Sequence, residues 1–494
     1  MTTTFDGYGP DAPLDLGAVP DAAWAGIVAR LKDGSMDDFA DAAARVGHCS
    51  APVRLHGSSE TWDTTTGESL GRFSSDDQPL GVLHVPCGNR RADVCPACSR
   101  LYARDTFEVI RTGAVGGKTV PASVSGAPLV FVTLTAPSFG HVHSARKDGG
   151  RCRPGRSSLC GHGKPTRCDA VHPADDPTAG APLCPDCYDH TSAVVWQWWA
   201  PELWRRFTIR LRRDLATTLG LPASRLGDVA SVQFAKVAEY QNRGLVHFHA
   251  LIRLDGPDGP GSPAPIDGHD LTELVRRAAQ AVRFDAPPVD RWDSPRTLRF
   301  GSQIDTRTVR SGAVAGSDLT AEAVAGYLAK YSTKSASAGP GGQAHLGRMV
   351  RTCRALAWRA AHACRTNQWQ PEDQTVCTCG TCIDGPYRLL GKWARTLGFR
   401  GHFSTRSRRY SVTLGALRRA RRRFQRLRAT DPERLDTADL EARLLADGTE
   451  TTLVVGQWTF IAAGWDNPGD KALADAAAAR AREYAQWKAG NGRA

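Results

Sequence analysis

The feature that most restricts the fold of this chain is the alternating pattern of residues 245–254, Leu-Val-His-Phe-His-Ala-Leu-Ile-Arg-Leu. Successive side chains of a β-strand point to opposite faces, so the pattern predicts a half-buried strand with His247 and His249 on one face. Residues 229–239 form another apolar-rich run, and the connection contains Asn and Gly, which suit a tight turn. The two runs are therefore predicted to pair as an antiparallel hairpin.

Glu239 is the candidate third ligand of a metal site on this hairpin. Two imidazoles and a carboxylate can hold a divalent cation with open positions, and such an ion can polarise a phosphoryl oxygen. A two-residue loop would turn Glu239 away from the histidines, whereas an odd-length loop would place it opposite His247. We expect the odd-length loop, although a His-x-His pair taken alone is more often a surface feature.

A second motif, Tyr-Leu-Ala-Lys-Tyr-Ser-Thr-Lys, begins at Tyr327, after a helix-start signal. Tyr327 and Tyr331 are therefore predicted to lie one turn apart on the same helix face. Lys330 and Lys334 could neutralise a phenolate or a phosphate, because a phenol ionises near pH ~10 and needs help to attack at neutral pH. The spacing also fits an ordinary packed helix, and only its occurrence together with the histidine motif favours catalysis.

These motifs resemble those of the HUH endonucleases, in particular the rolling-circle replication initiators of plasmids. Residues 131–135, Phe-Val-Thr-Leu-Thr, resemble the first motif, residues 246–251 the metal motif, and residues 327–334 the two-tyrosine nucleophile motif. In initiators the tyrosine follows the histidines, as it does here, whereas in conjugative relaxases it precedes them.

The resemblance is strongest to initiators of actinobacterial integrative plasmids, the RepSA type. It includes the cysteine motifs at 87–98 and 183–187 and the sequence Arg-Gly-His-Phe-Ser at 400–404, and it extends over about residues 87–428. Residues 1–45 contribute little to it and have no assigned function.

The order of predicted strands and helices, together with this resemblance, implies an α+β fold. The expected HUH endonuclease core is an antiparallel sheet flanked by helices, with a zinc-binding insertion at about 137–192 and a basic C-terminal region. We expect a helical and irregular N-terminal region at 1–80, the core at 81–335 and a basic DNA-binding region at 336–494.

The resemblance also implies a metal-dependent nickase and strand transferase acting at a rolling-circle origin. His247 and His249, helped by Glu239, would hold Mg²⁺ or Mn²⁺ against the scissile phosphate. Tyr331 is the expected first nucleophile and would become linked to the 5′ phosphate, leaving a 3′ hydroxyl for a host polymerase. Tyr327 would act in the closing step or as a general base, and a host helicase is a further expected partner.

Two alternatives stay open from the sequence. A two-tyrosine HUH transposase shares the motif order, and the nature of the nicked site, a plasmid origin or an element end, would distinguish it. A zinc-stapled DNA-binding regulator without cleavage activity would bind origin DNA but would not cut it when Mn²⁺ is added.

The charge of the chain favours an anionic partner, of which DNA, single- and double-stranded, is the simplest. Among 494 residues, 63 are Lys or Arg and 51 are Asp or Glu, a formal net charge of +12. No run approaches the ~20 apolar residues of a membrane helix, and no apolar leader opens the chain. We therefore expect a cytoplasmic protein with no membrane partner.

The chain has fourteen cysteines, and metal ligands are a more plausible role for them than disulfides, because a reducing compartment keeps thiols free. Two Cys-Pro-x-Cys knuckles each suit one tetrahedral zinc ion, and two such pairs make a closed site. The insertion is too poor in apolar residues to form a core without metal. The predicted structural zinc ligands are Cys87, Cys95, Cys98, Cys152, Cys160, Cys168, Cys184 and Cys187. His162 and His172 lie in the same segment as the insertion cysteines, and the sequence does not determine which cysteines share an ion.

Cysteine is also common as a small buried side chain, and that alternative stays open, more so in the insertion than in the knuckles. A third cluster, Cys377, Cys379 and Cys382, has only three thiols and is left unassigned.

A basic helix is predicted at 417–428, where seven of twelve residues are arginine. Such a run is often a solvated face, but like charges this dense repel one another unless an anion neutralises them. Phosphate contacts would position the protein without reading sequence. The expected DNA-binding residues are Arg418, Arg419, Arg421, Arg422, Arg423, Arg426 and Arg428.

The remaining patterns predict ordinary elements. Residues 194–219 should form a helix whose tryptophans pack in the core, with base stacking as the alternative. Strands are expected at 297–308 and 410–414, and a strand pair at 451–465.

Overall fold

The computed structural model describes residues 14–146, 148–173, 175–290, 292–309, 320–332, 340–362, 384–446 and 452–491. Its α-helices are α1 (Asp21–Lys32), α2 (Met36–Arg45), α3 (Pro96–Val115), α4 (His190–Thr218), α5 (Gly268–Ala281), α6 (Ala321–Ser332), α7 (Pro340–Ala361), α8 (Leu414–Thr430), α9 (Leu440–Leu445) and α10 (Pro468–Asn491). Its strands are β1 (Val53–Asp63), β2 (Ser69–Ser74), β3 (Leu83–Val85), β4 (Leu129–Leu134), β5 (Ser231–Tyr240), β6 (Val246–Asp255), β7 (Phe284–Ala286), β8 (Arg296–Leu298), β9 (Ile304–Thr308), β10 (Ser404–Arg406) and β11 (Thr452–Ala463).

The chain divides into two compact units. One contains residues Met1–Asp105 and Leu417–Ala494, and the other contains residues Thr106–Ala416. The expected divisions after residues 80 and 335 differ from these boundaries, because the N-terminal and C-terminal segments pair with each other.

The larger unit is built on a five-stranded sheet in the order β10-β5-β6-β4-β9, with every neighbouring pair antiparallel. The predicted β5–β6 hairpin is confirmed, and its loop has odd length: the Gln241 N–H donates to the Leu245 carbonyl at 2.9 Å, leaving three residues between them. Gly244, with φ of +77°, supplies the left-handed conformation that this turn needs. Glu239 consequently lies opposite His247.

One face of this sheet packs against α4, α5 and α7. Phe248 of β6 contacts Trp204 of α4 edge to face, and Trp196 and Trp198 are also buried in this layer. The prediction that the tryptophans of this helix pack in the core is confirmed.

The opposite face of the sheet carries the two histidines and packs against α6. Val324 and Leu328 of α6 are buried together with Phe131, Val237 and Leu251 of the sheet. These apolar contacts hold α6 over the face on which the histidine side chains lie.

The smaller unit is a second antiparallel sheet with helices around it. Its strand β1 pairs with β11 along its whole length and also pairs with β2 and β3. Arg30 of α1 forms an ion pair of 2.8 Å with the buried Asp470 of α10, and Phe39 packs on Trp465. Long-range pairing therefore joins the two ends of the sequence.

Three predicted strands were wrong in detail. Residues 297–308 form parts of two strands, because β8 pairs with β7 in a two-stranded sheet and β9 pairs with β4 in the five-stranded sheet. Residues 410–414 are not a strand: Tyr410 is buried because its ring packs on Gly113 and its hydroxyl donates to the Ile110 carbonyl. The predicted pair at 451–465 is the single strand β11, and β1–β3 lie in the region around 53–85, where no strand was expected.

No described helix combines the length and the apolar character needed to span a membrane.

Candidate functional site

Three side chains converge on the α6 face of the sheet. The Glu239 Oε2 lies 2.8 Å from the His247 Nε2 and 3.0 Å from the His249 Nε2, and the two Nε2 atoms are 3.1 Å apart. Ligands at adjacent corners of an octahedron around an ion with ~2.1 Å bonds are about 3.0 Å apart. The residues therefore fit one divalent cation, and the odd hairpin loop is what brings Glu239 to the same face.

The surroundings favour His249 as a neutral ligand. Its side chain and that of Glu239 are buried, whereas His247 is partly exposed. Burial lowers the pKa of His249, and this outweighs the hydrogen bond to Glu239, which acts in the opposite direction. An unprotonated imidazole is the form that binds metal.

Thr133 and Phe131 hold the ring of His249 in place. The Thr133 hydroxyl lies 3.0 Å from the His249 Nδ1, and the Phe131 ring stacks on the imidazole at 5.7 Å with an interplanar angle of 10°. A partner on Nδ1 leaves Nε2 directed toward Glu239, as in many metal sites. Thr133 was not among the predicted site residues, although it lies in the strand that resembles the first family motif; the missing information was the register, which pairs Thr133 with His249.

Tyr327 lies beside these residues. Its ring centroid is 5.2 Å from that of His249 and 6.1 Å from that of Phe131, in both cases edge to face. Tyr331 belongs to the same helix one turn later, about 6 Å along the axis. Its side chain and the whole of Lys334 lie outside the described residues, and Lys330 is exposed on α6.

Cysteine and histidine side chains form three further groups that could hold a metal such as zinc, with the candidate ligand atoms of each group within 4.8 Å of one another. The groups are Cys49, Cys87, Cys95 and Cys98; His143, Cys152, Cys168 and His172; and Cys160, His162, Cys184 and Cys187.

The first group lies in the smaller unit. The Cys49 and Cys95 sulfurs are 3.8 Å apart, which matches the separation of about 3.8 Å between thiolates on a tetrahedral zinc ion with ~2.3 Å bonds. Cys49 was not predicted as a ligand, because it does not belong to a Cys-x-x-Cys motif. The sequence did indicate that a ligand was lacking, because Cys87, Cys95 and Cys98 supply only three of the four ligands of a tetrahedral site.

The other two groups lie in the insertion of the larger unit. The His172 Nε2 lies 3.4 Å from the Cys168 sulfur and 3.2 Å from the His143 Nδ1, and its Nδ1 faces Asp176 at 2.7 Å. His143 was also missed, although it ends a His-x-His pair. The sequence left the pairing of the two knuckles open, and their cysteines fall into different groups, Cys95 in the first and Cys184 in the third.

All eight predicted zinc ligands thus lie in groups that could hold a metal such as zinc. The unassigned cluster at 377–382 lies outside the described residues.

The basic helix is α8, and its arginines differ in their contacts and in their exposure to solvent. Arg421 forms an ion pair with Asp105, and Arg423 donates to main-chain carbonyls at the end of α9. Four of the arginines are exposed, namely Arg418, Arg422, Arg426 and Arg428, whereas Arg419 is half-buried. Arg418, Arg422 and Arg426 are spaced four residues apart and therefore share one face of the helix. The helix presents a basic stripe rather than a uniform charge.

Comparisons with known proteins give a consistent result. The RepSA family model, described as "Replication initiator protein, pSAM2", matches residues 35–479. A replication initiator protein of Streptomyces ambofaciens is 40% identical over 458 residues, which cover 90% of this chain and 91% of that protein. No solved structure matches.

Proposed function

Because the chain belongs to the RepSA family of replication initiator proteins, we propose that it starts rolling-circle replication by nicking one strand of a plasmid origin. One observation carries the proposal: Glu239, His247 and His249 meet at a single point beside the phenol ring of Tyr327. The histidine strand β6 is the middle strand of five, which supports an HUH-type core.

Glu239, His247 and His249 would hold Mg²⁺ or Mn²⁺, and nitrogen ligands favour Mn²⁺ more than an all-oxygen site does. When bound, the ion supplies Lewis-acid polarisation of the scissile phosphate. Thr133 and Phe131 keep the His249 ring oriented, so the ligands need no rearrangement when DNA arrives.

The nucleophile is a phenol of α6. Its oxygen attacks phosphorus in line, the phenolic proton passes to solvent, and the bond from phosphorus to the 3′ oxygen breaks. The departing 3′ oxygen takes up a proton and becomes the primer end for a host polymerase. We assign the first attack to Tyr331, as the family motif implies, and the closing attack to Tyr327; Lys330 and Lys334 stabilise negative charge on phenolate and phosphate.

DNA binding is assigned to the exposed stripe of α8, chiefly Arg418, Arg422 and Arg426. Its contacts with phosphates would hold the origin without reading its sequence. The three Cys/His groups are assigned structural zinc ions, because each offers four ligands of the type and spacing found in closed tetrahedral sites.

The test uses single-stranded oligonucleotides that tile the replicon carrying the gene. The protein is incubated with each oligonucleotide and Mn²⁺, covalent adducts are detected on denaturing gels, and the linked residue is mapped by mass spectrometry. We expect one oligonucleotide to be cut, with a 5′-phosphotyrosyl adduct on wild-type protein and on Tyr327→Phe.

Tyr331→Phe should not form this adduct, and Glu239→Gln should form it slowly and require more Mn²⁺. Full adduct formation by Tyr331→Phe would transfer the first attack to Tyr327. Binding of an oligonucleotide without any cut would contradict nicking and favour a DNA-binding regulator.

A further inference from the structure

A polar cavity of about 530 Å³ lies at the end of β4 in the larger unit. Its walls come from the end of β4, the β5–β6 loop, the β8–β9 connection and the zinc-binding insertion. The side chains that matter here are Thr135, Ser138, Arg153, Asn242, Arg243 and Gln303. Among the described lining residues there is no carboxylate and no Phe, Tyr or Trp, so the lining combines positive charge with neutral hydrogen-bonding groups.

The cavity continues the face that carries the candidate metal ligands. Thr135 follows Thr133 by two residues and comes directly after β4, and Gln241 follows Glu239 by two residues and comes directly after β5. Residues two apart on a strand share a face and lie about 7 Å apart. A DNA strand lying over the metal site would therefore reach the cavity within this short distance.

The zinc-binding insertion forms one wall of the cavity and is locked against the hairpin loop. Gly180, with φ of +91°, packs so closely that a Cβ on it would lie 2.3 Å from the Asn242 carbonyl carbon. Arg243 donates to the Ala136 and Pro137 carbonyls at 2.8 and 2.9 Å, which ties the loop to the end of β4. The wall from His143 to Arg153 includes a ligand of the second Cys/His group, so metal binding there would shape the cavity.

We propose that this cavity binds one nucleotide of single-stranded DNA next to the cleaved phosphate. The volume suits a nucleotide-sized ligand, since small-molecule pockets span about 300–1,000 Å³. The guanidiniums of Arg153 and Arg243 favour an anion, and Arg243 donates only to uncharged groups. The amides of Asn242 and Gln303 can read the edge of an unstacked base, as in other single-strand recognition.

This inference rests on the proposed function, and it adds sequence recognition that the basic helix does not supply. Because the described lining residues include no Phe, Tyr or Trp, the base would be held chiefly through hydrogen bonds. The nucleotide in the cavity should therefore be read for identity as well as bound.

The test measures binding and not cleavage. Fluorescence anisotropy is recorded with the tiled single-stranded oligonucleotides, without added Mn²⁺ and without chelator, so that structural zinc is kept. In the tightest-binding oligonucleotide each base is then removed in turn by an abasic substitution. At one position the wild type should bind about fivefold more weakly, the size of one net hydrogen bond.

The double variant Asn242→Ala, Gln303→Ala should lose the abasic penalty at that position and keep the penalties elsewhere. Gln280→Ala, which removes an exposed glutamine on α5, is the matched control and should behave as wild type. Penalties that are the same in wild type and the double variant at every position would overturn the proposal, as would the absence of single-strand binding. If an oligonucleotide shows this loss of the abasic penalty but is not cut when Mn²⁺ is added, the result would support the nucleotide-binding cavity and contradict nicking.

Discussion

Thr133→Val is the change that best isolates how the sheet prepares the metal site. The substitution keeps the branched shape and removes the hydroxyl that lies 3.0 Å from the His249 Nδ1. His249 is only 2% exposed, so water does not readily replace the lost partner. One net hydrogen bond is worth about 0.5–1.5 kcal/mol, and loss of an outer-shell partner commonly weakens metal binding about 10–100-fold. We expect about tenfold weaker Mn²⁺ binding, which corresponds to about 1.4 kcal/mol.

Isothermal titration of Mn²⁺ into zinc-loaded protein without DNA measures this effect directly. Thr135→Val is the matched control, since the Thr135 hydroxyl donates to the Gln303 carbonyl and not to a histidine. Both variants remove one hydrogen-bonded hydroxyl near the end of β4, so general destabilisation should be similar. Unchanged Mn²⁺ affinity in Thr133→Val, or an equal loss in both variants, would refute the orienting role.

Three further predictions concern the zinc groups, a buried charge and DNA binding. Cys49→Ser should lower the zinc content measured by mass spectrometry by about one ion per chain and lower the melting temperature, whereas Cys353→Ser, a buried cysteine outside the groups, should leave zinc content unchanged. Burial lowers the pKa of Lys236 to about 7, below its unfolded value near ~10.4, so the unfolded state binds the proton more tightly between these values. Wild-type stability should therefore fall as the pH drops from ~10 to 7, and Lys236→Met should raise the melting temperature more at pH 7 than at pH 9.5; equal gains would contradict this. Arg418→Gln with Arg422→Gln should reduce the salt slope of DNA affinity by about two, and an unchanged slope would remove these residues from the interface.

The hairpin that carries the candidate site could be predicted from local patterns. Alternation placed His247 and His249 on one face, and the parity of the loop decided the side of Glu239. Such inferences succeed because period and turn length act over a few residues. The orientation of His249 by Thr133 could not be inferred in this way, since it depends on the register between strands that are distant in the chain.

The smaller unit shows where local patterns fail. Its central pairing joins Val53 to Ala463 and continues to the other end of β1, so neither strand has its partner nearby in the sequence. Cys49 illustrates the same point, because it becomes a candidate ligand only when folding brings it to Cys95. Predictions from spacing found the knuckle and could not find the remote residue that completes it.

The candidate active site combines two structural devices that are fixed independently. Strand pairing sets the candidate cation ligands, because Glu239 and His247 are direct partners in the ladder. Apolar packing positions α6, the helix of the proposed nucleophile, because residues such as Leu328 hold it on the sheet. Phe131 connects the two, since its ring stacks on His249 and also meets the edge of Tyr327. A site assembled in this way can hold its metal ligands ready before DNA binds, while the position of the phenol depends on how well one helix stays packed.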